Sequence, residues 1–256
     1  MEAKSQDQSK GTLIVTGGSR GIGAAVARLA AKHGYVVAVN YSTGEKEAKS
    51  VTADIVKNGG HAMAIHADVS DEGQIIAMFE TAERELGQIT ALVNNAGITG
   101  GFARVEDVSA DAINKTFAVN VTGSILCARE AVRRMSTRRG GKGGAIVNIS
   151  SRAVHTGAAG EWVHYAASKG AIDSFTIGLA REVATEGIRV NAAAPGLTDT
   201  DIHTANGEPG RLQRLMPTIP MNRAGQPEEI AEAVLWLLSS AASYVTGAIL
   251  AVGGGR

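Results

Sequence analysis

The segment TLIVTGGSRGIG, residues 12–23, decides the fold that we predict for this chain. Residues 12–16 form a β-branched and apolar run that predicts a strand, and the alanine-rich residues 21–33 predict a helix directly after it. A turn between the two leaves the first amides of the helix pointing outward, with the positive end of its dipole behind them. The segment therefore predicts a strand, a glycine turn and a helix start suited to binding an anion.

The glycines of this turn, Gly17, Gly21 and Gly23, are spaced Gly-x-x-x-Gly-x-Gly. Glycine lets the backbone approach a pyrophosphate, and the last of the three lets the helix pack closely on the strand. Such a triplet alone also occurs in ordinary turns, but here a strand precedes it and a helix follows, near the start of an alternating chain. This context favours a dinucleotide-binding loop over an ordinary turn.

The rest of the chain alternates short apolar runs with longer amphipathic segments. The runs predict strands at residues 36–40, 62–66, 91–94, 145–150, 189–194 and 248–252. The amphipathic segments predict helices at residues 45–58, 71–86 (with Ser70 as N-cap), 111–139 (one or two helices), 165–186 and 227–238. This order is typical of an α/β fold with one doubly wound parallel sheet and helices on both faces. We expect a single domain over residues 1–256, with residues 1–10 as a loose polar tail.

Composition excludes several classes of function. The 25 basic and 25 acidic side chains leave no net charge, whereas a surface that binds nucleic acid normally shows a basic excess. The single cysteine, Cys127, excludes a disulfide framework and a zinc site built on cysteines. His155, Glu161 and His164 share one segment, but no spacing there holds three ligands together, so we expect no metal. No apolar run reaches the ~18–20 residues of a membrane span, so we expect a cytoplasmic protein with no membrane contact.

The glycine loop resembles that of the short-chain dehydrogenase/reductase family, whose members share the Rossmann-type fold. Further matches follow in the family's order across nearly the whole chain: Asp68, Asn94-Asn95-Ala96-Gly97, Asn120, Ser151, Tyr165-x-x-x-Lys169, and Pro195-Gly196 followed by Thr200. The loop and the segments HYAASKGAIDSF and GEPGR look like those of glucose/ribitol-type dehydrogenases and 3-oxoacyl-thioester reductases. The resemblance implies an oxidoreductase that interconverts a carbonyl and the CH-OH group of a small-molecule substrate. The alternative from another class is a catalytically idle NADP-binding sensor or scaffold protein.

Tyr165 and Lys169 lie four residues apart on a predicted helix, so their side chains share one face. A free tyrosine has a pKa of about 10 and is a poor base at neutral pH, but a nearby ammonium stabilises its phenolate. Lowering the pKa by about three pH units requires ~4 kcal/mol, an energy that the lysine and a positively charged nicotinamide supply together in a partly dry cleft. Tyr165 would then donate a proton to a carbonyl oxygen or remove one from an alcohol. The resemblance implies that Lys169 also binds the nicotinamide ribose.

Ser151 ends the fifth predicted strand, at the edge where parallel sheets bind ligands. Its hydroxyl would hydrogen-bond the substrate oxygen and orient it. Because the separation from Ser151 to Tyr165 is one residue longer than is commonest in the family, Ser150 is an alternative. Asn120 matches the helix asparagine that, in the family, helps to hold a water near the lysine. The predicted catalytic residues are Asn120, Ser151, Tyr165 and Lys169.

The residues after the second predicted strand indicate which nicotinamide dinucleotide binds. A carboxylate there would bind the ribose of NAD and repel the 2′-phosphate of NADP, but none occurs before Glu45. Arg20 is placed to meet that phosphate with paired donors; alternatively it is a solvated loop residue, and Tyr41 packs against the adenine. We expect NADP(H) to be preferred over NAD(H). The residues predicted to bind the cofactor are Gly17, Ser19, Arg20, Gly21, Ile22, Gly23, Tyr41, Ser42, Asp68, Val69, Asn94, Ala96, Gly97, Tyr165, Lys169, Pro195, Gly196, Thr198 and Thr200.

Three further expectations complete the prediction. Asp68 has an alternative role in capping the helix that follows it. Residues 202–217 resemble the family's mobile lid over the substrate, and Trp162 with its polar neighbours would line or cover the opening. The resemblance and the apolar faces of the helices that contain Asn120 and Tyr165 indicate a homotetramer with closed symmetry.

Overall fold

The structure is a computed structural model that describes residues 10–200 and 210–256. Its parallel strands form one seven-stranded sheet in the order β3-β2-β1-β4-β5-β6-β7. The strands are β1 Thr12–Val15, β2 Val36–Tyr41, β3 His61–His66, β4 Ile89–Asn94, β5 Gly144–Ile149, β6 Ile188–Pro195 and β7 Ile249–Val252. The strand order reverses between β1 and β4, as in a doubly wound sheet. The predicted Rossmann-type α/β fold is confirmed.

Helices cover both faces of this sheet. They are α1 Gly21–Lys32, α2 Glu45–Lys57, α3 Glu72–Leu86, α4 Ala110–Phe117, α5 Ser124–Met135, α6 Ala153–Thr156, α7 Val163–Val183, α8 Arg211–Leu215 and α9 Pro227–Leu238. A π-helical turn, Ala118–Gly123, joins α4 to α5, and 3-10 turns occur at Thr137–Arg139, Ala184–Glu186, Met216–Thr218 and Ser240–Ala242. Among the described residues, no helix is long and apolar enough to span a membrane.

The alternation of side chains along β1 shows how both faces of the sheet are buried. Leu13 and Val15 belong to the core that α1, α2 and α9 cover, whereas Ile14 belongs to the core under α3, α5 and α7. All three side chains are completely inaccessible to solvent. A strand that is buried on both faces has apolar residues at successive positions, which explains the run Leu13-Ile14-Val15 before the glycine loop.

The carboxyl ends of the strands meet at one edge of the sheet and position the candidate site. β1 leads into the glycine loop, and β4 leads into residues 95–97. β5 leads into residues 150–151, and β6 leads into residues 196–200. Because these strands are neighbours in the sheet, segments from nearly the whole chain lie side by side at this edge.

Several local boundaries differ from the prediction. The N-cap of α3 is Asp71 and not Ser70, because the Asp71 carboxylate accepts a hydrogen bond from the Gln74 amide at 3.0 Å. The segment predicted as one or two helices at residues 111–139 contains two, α4 and α5, joined by the π-helical turn, and the short helices α6 and α8 were not predicted. Residues 1–9 and 201–209 lie outside the described residues, and with them most of the predicted tail and half of the predicted lid.

Candidate active site

The glycine loop is held in place by Asn40, a buried side chain near the end of β2. Its Oδ1 accepts a hydrogen bond from the Gly17 amide at 3.1 Å, and its carbonyl oxygen accepts one from the Gly18 amide at 2.8 Å. Its Nδ2 donates to the Ala67 carbonyl oxygen at 3.0 Å, which ties the loop to the segment after β3. The sequence analysis placed Asn40 only within a strand. A lone amide in an apolar strand was the signal for this role, because buried polar groups need partners.

Steric contacts explain the glycines of the loop. A Cβ at Gly23 would lie 2.3 Å from the Gly17 carbonyl oxygen and 2.5 Å from Nδ2 of Asn95, so a larger residue requires the backbone to move. Gly21 has a φ of +52°, in the left-handed region that favours glycine. The start of α1 therefore lies directly against the loop, as the predicted anion-binding arrangement requires.

The two asparagines after β4 have different roles. Nδ2 of Asn95 donates to the carbonyl oxygens of Thr16 and Gly17, both at 2.9 Å, and Asn95 lines the cleft at the sheet edge. Asn94 is buried, and its Nδ2 donates to Oδ1 of Asn148 at 2.9 Å and to a carbonyl oxygen of α5 at 3.0 Å. The cofactor contact predicted for Asn94 stays a prediction. Its side chain joins β4 to β5 and α5, and the side chain that reaches the cleft is that of Asn95.

Arg20 lies on the exposed side of the glycine loop, over the start of α2. A Cβ at Gly44, the N-cap of α2, would lie 2.7 Å from Nη2 of Arg20 and 3.0 Å from Oε2 of Glu47. Within residues 10–200 and 210–256, the Arg20 guanidinium forms no hydrogen bond or ion pair. Ser42, just after β2, is also exposed. These two side chains provide hydrogen-bond donors for a phosphate at the end of β2.

The predicted adenine side of the site is formed by the residues after β2 and β3. Tyr41 packs edge-on against His66, with ring centroids 5.4 Å apart. Oδ1 of Asp68 accepts hydrogen bonds from the Ser70 amide at 2.9 Å and from the Ser70 hydroxyl at 2.8 Å. Val69 is buried in the core. Asp68 therefore stabilises a turn before α3 and does not cap that helix, which was the alternative role considered for it. Its contact with adenine stays a prediction.

Tyr165 and Lys169 lie on the first two turns of α7, and both line the cleft. Nζ of Lys169 lies 5.7 Å from the centroid of the Tyr165 ring and donates a hydrogen bond to the Ile149 carbonyl oxygen at 2.7 Å. Burial lowers the pKa of Lys169 to about 8, against the opposing effect of the Asp173 charge. The structure thus brings together the two residues whose spacing predicts a shared helix face.

The Ser151 side chain lines the same cleft as Tyr165, close enough to act on the phenol as a hydrogen-bond partner. Burial raises the pKa of Tyr165 above its ordinary value, while this interaction and the positive charge of Arg211 act in the opposite direction. The sequence analysis predicts a pKa lowered by Lys169 and a positively charged nicotinamide acting together, whereas the protein groups by themselves raise it. The physical reason is that the cost of desolvating a phenolate exceeds the attraction of the nearby cations. At neutral pH the phenol is therefore protonated.

Ser151, and not the alternative Ser150, is the partner of Tyr165. Ser150 is buried, and its hydroxyl donates to Oδ1 of Asp173 at 2.5 Å. The Ser151 hydroxyl also accepts a hydrogen bond from the Ala153 amide at 3.1 Å. Helix α6 begins at that alanine and lies within the connection to α7, so it takes up the extra residue that the spacing requires.

Asn120 lies in the π-helical turn and is completely buried. Its Oδ1 accepts a hydrogen bond from the Ile98 amide at 2.8 Å, and its Nδ2 donates to the Ile98 carbonyl oxygen at 2.9 Å and to Oγ of Ser168 at 3.0 Å. A Cβ at Gly97 would lie 3.4 Å from Oδ1 of Asn120 and 3.5 Å from Nζ of Lys169. Asn120 therefore joins the segment after β4 to α7, and its amide adjoins the lysine. Such π-helical turns are frequent at functional sites.

The segment after β6 forms another wall of the cleft. A Cβ at Gly196 would lie 2.6 Å from Cα of Gly253, so this wall packs tightly against the segment after β7. Cγ2 of Thr200 would lie 3.4 Å from a Cβ at Gly21, which brings the wall close to the glycine loop. The predicted cofactor residues that line the cleft are Ile22, Gly97, Tyr165, Lys169, Pro195, Gly196, Thr198 and Thr200.

The end of the cleft beyond Tyr165 is formed by charged residues that are far apart in sequence. Oε2 of Glu161 accepts hydrogen bonds from Nη2 and Nε of Arg211 at 2.7 and 3.0 Å, and its Oε1 accepts one from Arg214 at 2.8 Å. The Arg211 guanidinium lies 4.1 Å from the centroid of the Trp162 ring. Trp162 in turn lies edge-on to Tyr165, with centroids 6.2 Å apart. The sequence analysis expected Glu161 and Trp162 here, and it placed Arg211 and Arg214 within the predicted lid without predicting their ion pairs with Glu161.

The two histidines of this segment lie in different surroundings. His164 is buried beside Gly100 and Thr116, whereas His155 is exposed, with Nδ1 3.3 Å from Nη1 of Arg152. In the part of the chain that the structure describes, no group of three His, Cys, Asp or Glu side chains could hold a metal ion.

Comparison with known proteins extends the likeness to the whole chain. The family model described as Enoyl-(Acyl carrier protein) reductase matches residues 17–256. Uncharacterized oxidoreductase YgfF of Escherichia coli (strain K12) is 52% identical over 243 residues, which are 95% of this chain and 98% of that protein. Glucose 1-dehydrogenase 2 of Bacillus subtilis (strain 168) is 40% identical and covers 98% of this chain and 96% of its own length.

A solved structure agrees with these relatives. The crystal structure of a blue fluorescent protein from a metagenomic library, in complex with NADPH, superposes with a TM-score of 0.88 at 34% identity. The superposition covers 98% of this chain and 99% of that one, so the likeness concerns whole proteins and not a nucleotide-binding motif alone. The chain is therefore an oxidoreductase that belongs to the short-chain dehydrogenase/reductase family.

Proposed function

We propose that this oxidoreductase transfers a hydride between NADP(H) and a carbonyl or secondary alcohol substrate, with Tyr165 as the acid/base group. The observation that carries the proposal is the convergence of Tyr165, Ser151 and Lys169 in one cleft, with Nζ of Lys169 5.7 Å from the centroid of the phenol ring. Two hydroxyls at this position can bind one substrate oxygen between them. A catalytically idle sensor or scaffold has no physical need for a phenol, a hydroxyl and an ammonium that converge in one cleft.

The side chains divide the chemistry as follows. When bound, the nicotinamide cofactor supplies a hydride to the substrate carbon or accepts one from it. Ser151 donates a hydrogen bond to the substrate oxygen and fixes its position. Tyr165 donates its proton to that oxygen when a carbonyl is reduced and takes a proton from it when an alcohol is oxidised. The positive charge of Lys169 stabilises the phenolate that proton donation leaves. Burial raises the pKa of Tyr165, so at neutral pH the phenol carries the proton that carbonyl reduction requires.

The residues around the glycine loop fit a dinucleotide with a 2′-phosphate. The loop approaches α1 so closely that only glycine fits at residue 23, which leaves backbone instead of side chains at its surface. The exposed guanidinium of Arg20 forms no ion pair with any described residue and matches phosphate geometry with paired donors. One solved relative is a complex with NADPH, which supports the same choice. We therefore propose NADP(H) over NAD(H), with Arg20 and Ser42 at the phosphate.

We also propose that the protein is a cytoplasmic homotetramer of single-domain chains. Three apolar side chains on the neighbouring helices α5 and α7, Ile125, Val163 and Ile177, are between 36% and 39% exposed. They offer an apolar face to a second copy of the chain. Light scattering at micromolar concentration should give four times the chain mass of 26.3 kDa, and a particle of 26.3 kDa would contradict the proposal.

A substrate panel tests the proposed activity. Aldehydes, ketones, oxo esters and oxo acids are offered with NADPH, and consumption of NADPH is followed by absorbance. We expect at least one carbonyl compound to be reduced, and its alcohol to be oxidised with NADP⁺, at rates that depend on Tyr165. NADPH that binds tightly, measured by calorimetry, but is consumed with no compound would favour the idle binding protein instead.

A further inference from the structure

Four guanidinium groups at the end of the cleft beyond Tyr165 have no part in the proposed chemistry. This arginine cluster consists of Arg152, after β5, Arg211 and Arg214, on α8, and Arg256, in the segment after β7. Arg152, Arg211 and Arg256 line the same cleft as Tyr165. The free volume of this cleft is about 160 Å³. Because the four arginines come from three separate parts of the chain, the fold itself assembles this concentration of positive charge beside the reacting group.

Among the described residues, the Glu161 carboxylate faces Arg211 and Arg214, and the Asp173 carboxylate interacts with the charge of Arg152. Burial opposes the ionisation of Glu161, but hydrogen bonds from Arg211 and Arg214 prevail and hold its pKa below the ordinary value. Both of its oxygens are engaged by α8, at distances of 2.7 to 3.0 Å. Glu161 therefore fixes the position of α8, and it forms no hydrogen bond with the Arg256 guanidinium, which among the described residues is hydrogen-bonded to no carboxylate.

The chain holds Arg256 so that its charge faces the cluster. Nε of Arg152 donates a hydrogen bond to the Arg256 carbonyl oxygen at 2.7 Å. Burial and the like charge of Arg211 lower the pKa of Arg256, while the charge of Glu161 acts in the opposite direction. Guanidinium groups that are brought together in a partly dry cleft repel one another, and a bound anion relieves that repulsion. The Arg256 guanidinium thus has donors available for such an anion.

We propose that the arginine cluster binds a carboxylate of the substrate, so that the enzyme reduces a small oxo acid to the corresponding hydroxy acid. Guanidinium groups bind carboxylates through two parallel N–H···O hydrogen bonds, which fixes orientation as well as position. Trp162, between Arg211 and Tyr165, provides an apolar wall along the carbons that join the carboxylate to the carbonyl. The carbonyl carbon gains a hydride, its oxygen gains the Tyr165 proton, and the carboxylate is unchanged. The reaction rests on the proposed function, whereas the anion subsite does not.

The fluorescence of Trp162 provides a binding measurement that needs no turnover. The chain has two tryptophans, so Trp236→Phe leaves Trp162 as the only one. In this background, with saturating NADP⁺, the probes are 2-oxobutanoate, 3-oxobutanoate and 4-oxopentanoate, each compared with its methyl ester. We expect at least one acid to bind at least tenfold more tightly than its ester, a difference of ~1.4 kcal/mol.

Variants of the arginine cluster test which residue causes the tighter binding of acids than of their esters. Arg256→Gln should remove the preference for the acid, and Arg256→Lys should restore part of it. Arg84→Gln, at an exposed position on α3, serves as the matched control and should leave the preference unchanged. Equal dissociation constants for acids and esters, no binding of any acid at millimolar concentration, or a preference that survives Arg256→Gln would each overturn the proposal.

Turnover with NADPH separates this proposal from the proposed function. Acids that are reduced with a kcat/KM at least tenfold above that of their esters would support both. Acid binding that depends on Arg256 but leads to no NADPH consumption would support the anion subsite and contradict the reductase activity. Reduction of esters and neutral ketones as fast as of the acids would support the reductase activity and overturn the anion subsite.

Discussion

The two ends of the cleft are built in different ways. At the cofactor end, the amides of Asn40, which is buried, and Asn95, which is half-buried, hold the glycine loop through hydrogen bonds to its backbone. At the far end, the long side chains of Glu161, Arg211 and Arg256 meet as charges. The cofactor end is a close-packed backbone frame, encoded by short contiguous segments. The far end is a set of charges that only the complete fold assembles, and such a set can be exchanged without changing the frame.

The Tyr165→Phe variant should have the largest effect, because Tyr165 lies between the two ends and takes part in the reaction itself. It keeps the ring and its packing but removes the transferable proton. Proton transfer by a positioned group contributes ~10²–10⁴-fold, so kcat should fall by at least that range while NADPH affinity barely changes. The matched control, Tyr244→Phe, alters a fully exposed ring and should retain full activity. Normal turnover of Tyr165→Phe would end the assignment, and loss of the fold or of cofactor binding would identify a packing residue.

The Gly23→Ala variant tests whether the cofactor end is a close-packed frame. A Cβ there would lie 2.3 Å from the Gly17 carbonyl oxygen, so the loop must shift. We expect a loss of unfolding free energy of ~1–3 kcal/mol in urea titrations, and NADPH affinity lowered more than tenfold by calorimetry. Gly178→Ala, on α7 with no atom within 4 Å of the new Cβ, should be neutral or stabilising by up to ~1 kcal/mol. If both variants behaved alike, the frame would be no more constrained than an exposed helix face.

The Arg20→Ala variant sharpens the comparison at the one charged position of the cofactor end. The unmodified protein should bind NADPH at least tenfold more tightly than NADH, a difference of ~1.4 kcal/mol. Removal of the guanidinium should abolish most of that difference and leave NADH affinity nearly unchanged. Arg84→Ala, on the exposed surface of α3, is the control and should preserve it. Equal dissociation constants for the two cofactors in the unmodified protein would rule out the proposed phosphate contact.

The pH dependence of reduction should show the smallest effect, and it reports on Lys169. Because burial lowers the pKa of Lys169 to about 8, its positive charge is present below that pH and is lost as pH rises through it. The kcat/KM for carbonyl reduction should therefore fall severalfold between about pH 7 and 9 as the phenolate loses this stabilisation. Lys169→Arg keeps its charge throughout and should lack the inflection. An identical inflection in both proteins would assign it to another group.

The cofactor end was largely predictable from sequence because its geometry is local. One strand and one helix define the glycine turn, and the four-residue spacing places Tyr165 and Lys169 on one helix face. The alternation of side chains along a strand could also have predicted the different roles of Asn94 and Asn95. Asn94 shares the strand face of Leu92, which is buried in the core beside α5, so the side chain of Asn94 points to that core as well.

The far end was not predictable for the opposite reason. Arg211 meets Glu161 across 50 residues, and no spacing in the sequence records such an encounter. The desolvation that raises the pKa of Tyr165 was not predictable either, because it depends on everything that the fold packs around the ring. Asn40 lay within a predicted strand, yet its role required knowing that the glycine loop lies beside it.

The π-helical turn at Ala118–Gly123 has a consequence for the helix that contains it. A π turn holds one residue more than an α turn, so α5 is rotated relative to α4 by about 100° from the phase of an uninterrupted helix. α4 packs against α7, whereas α5 packs against β4. Deleting one residue here would make α4 and α5 one continuous, regular helix. The two parts would then rotate relative to each other, and Asn120 would move away from Ile98. The inserted residue acts as a phase shift that lets one helix present different faces to two neighbours.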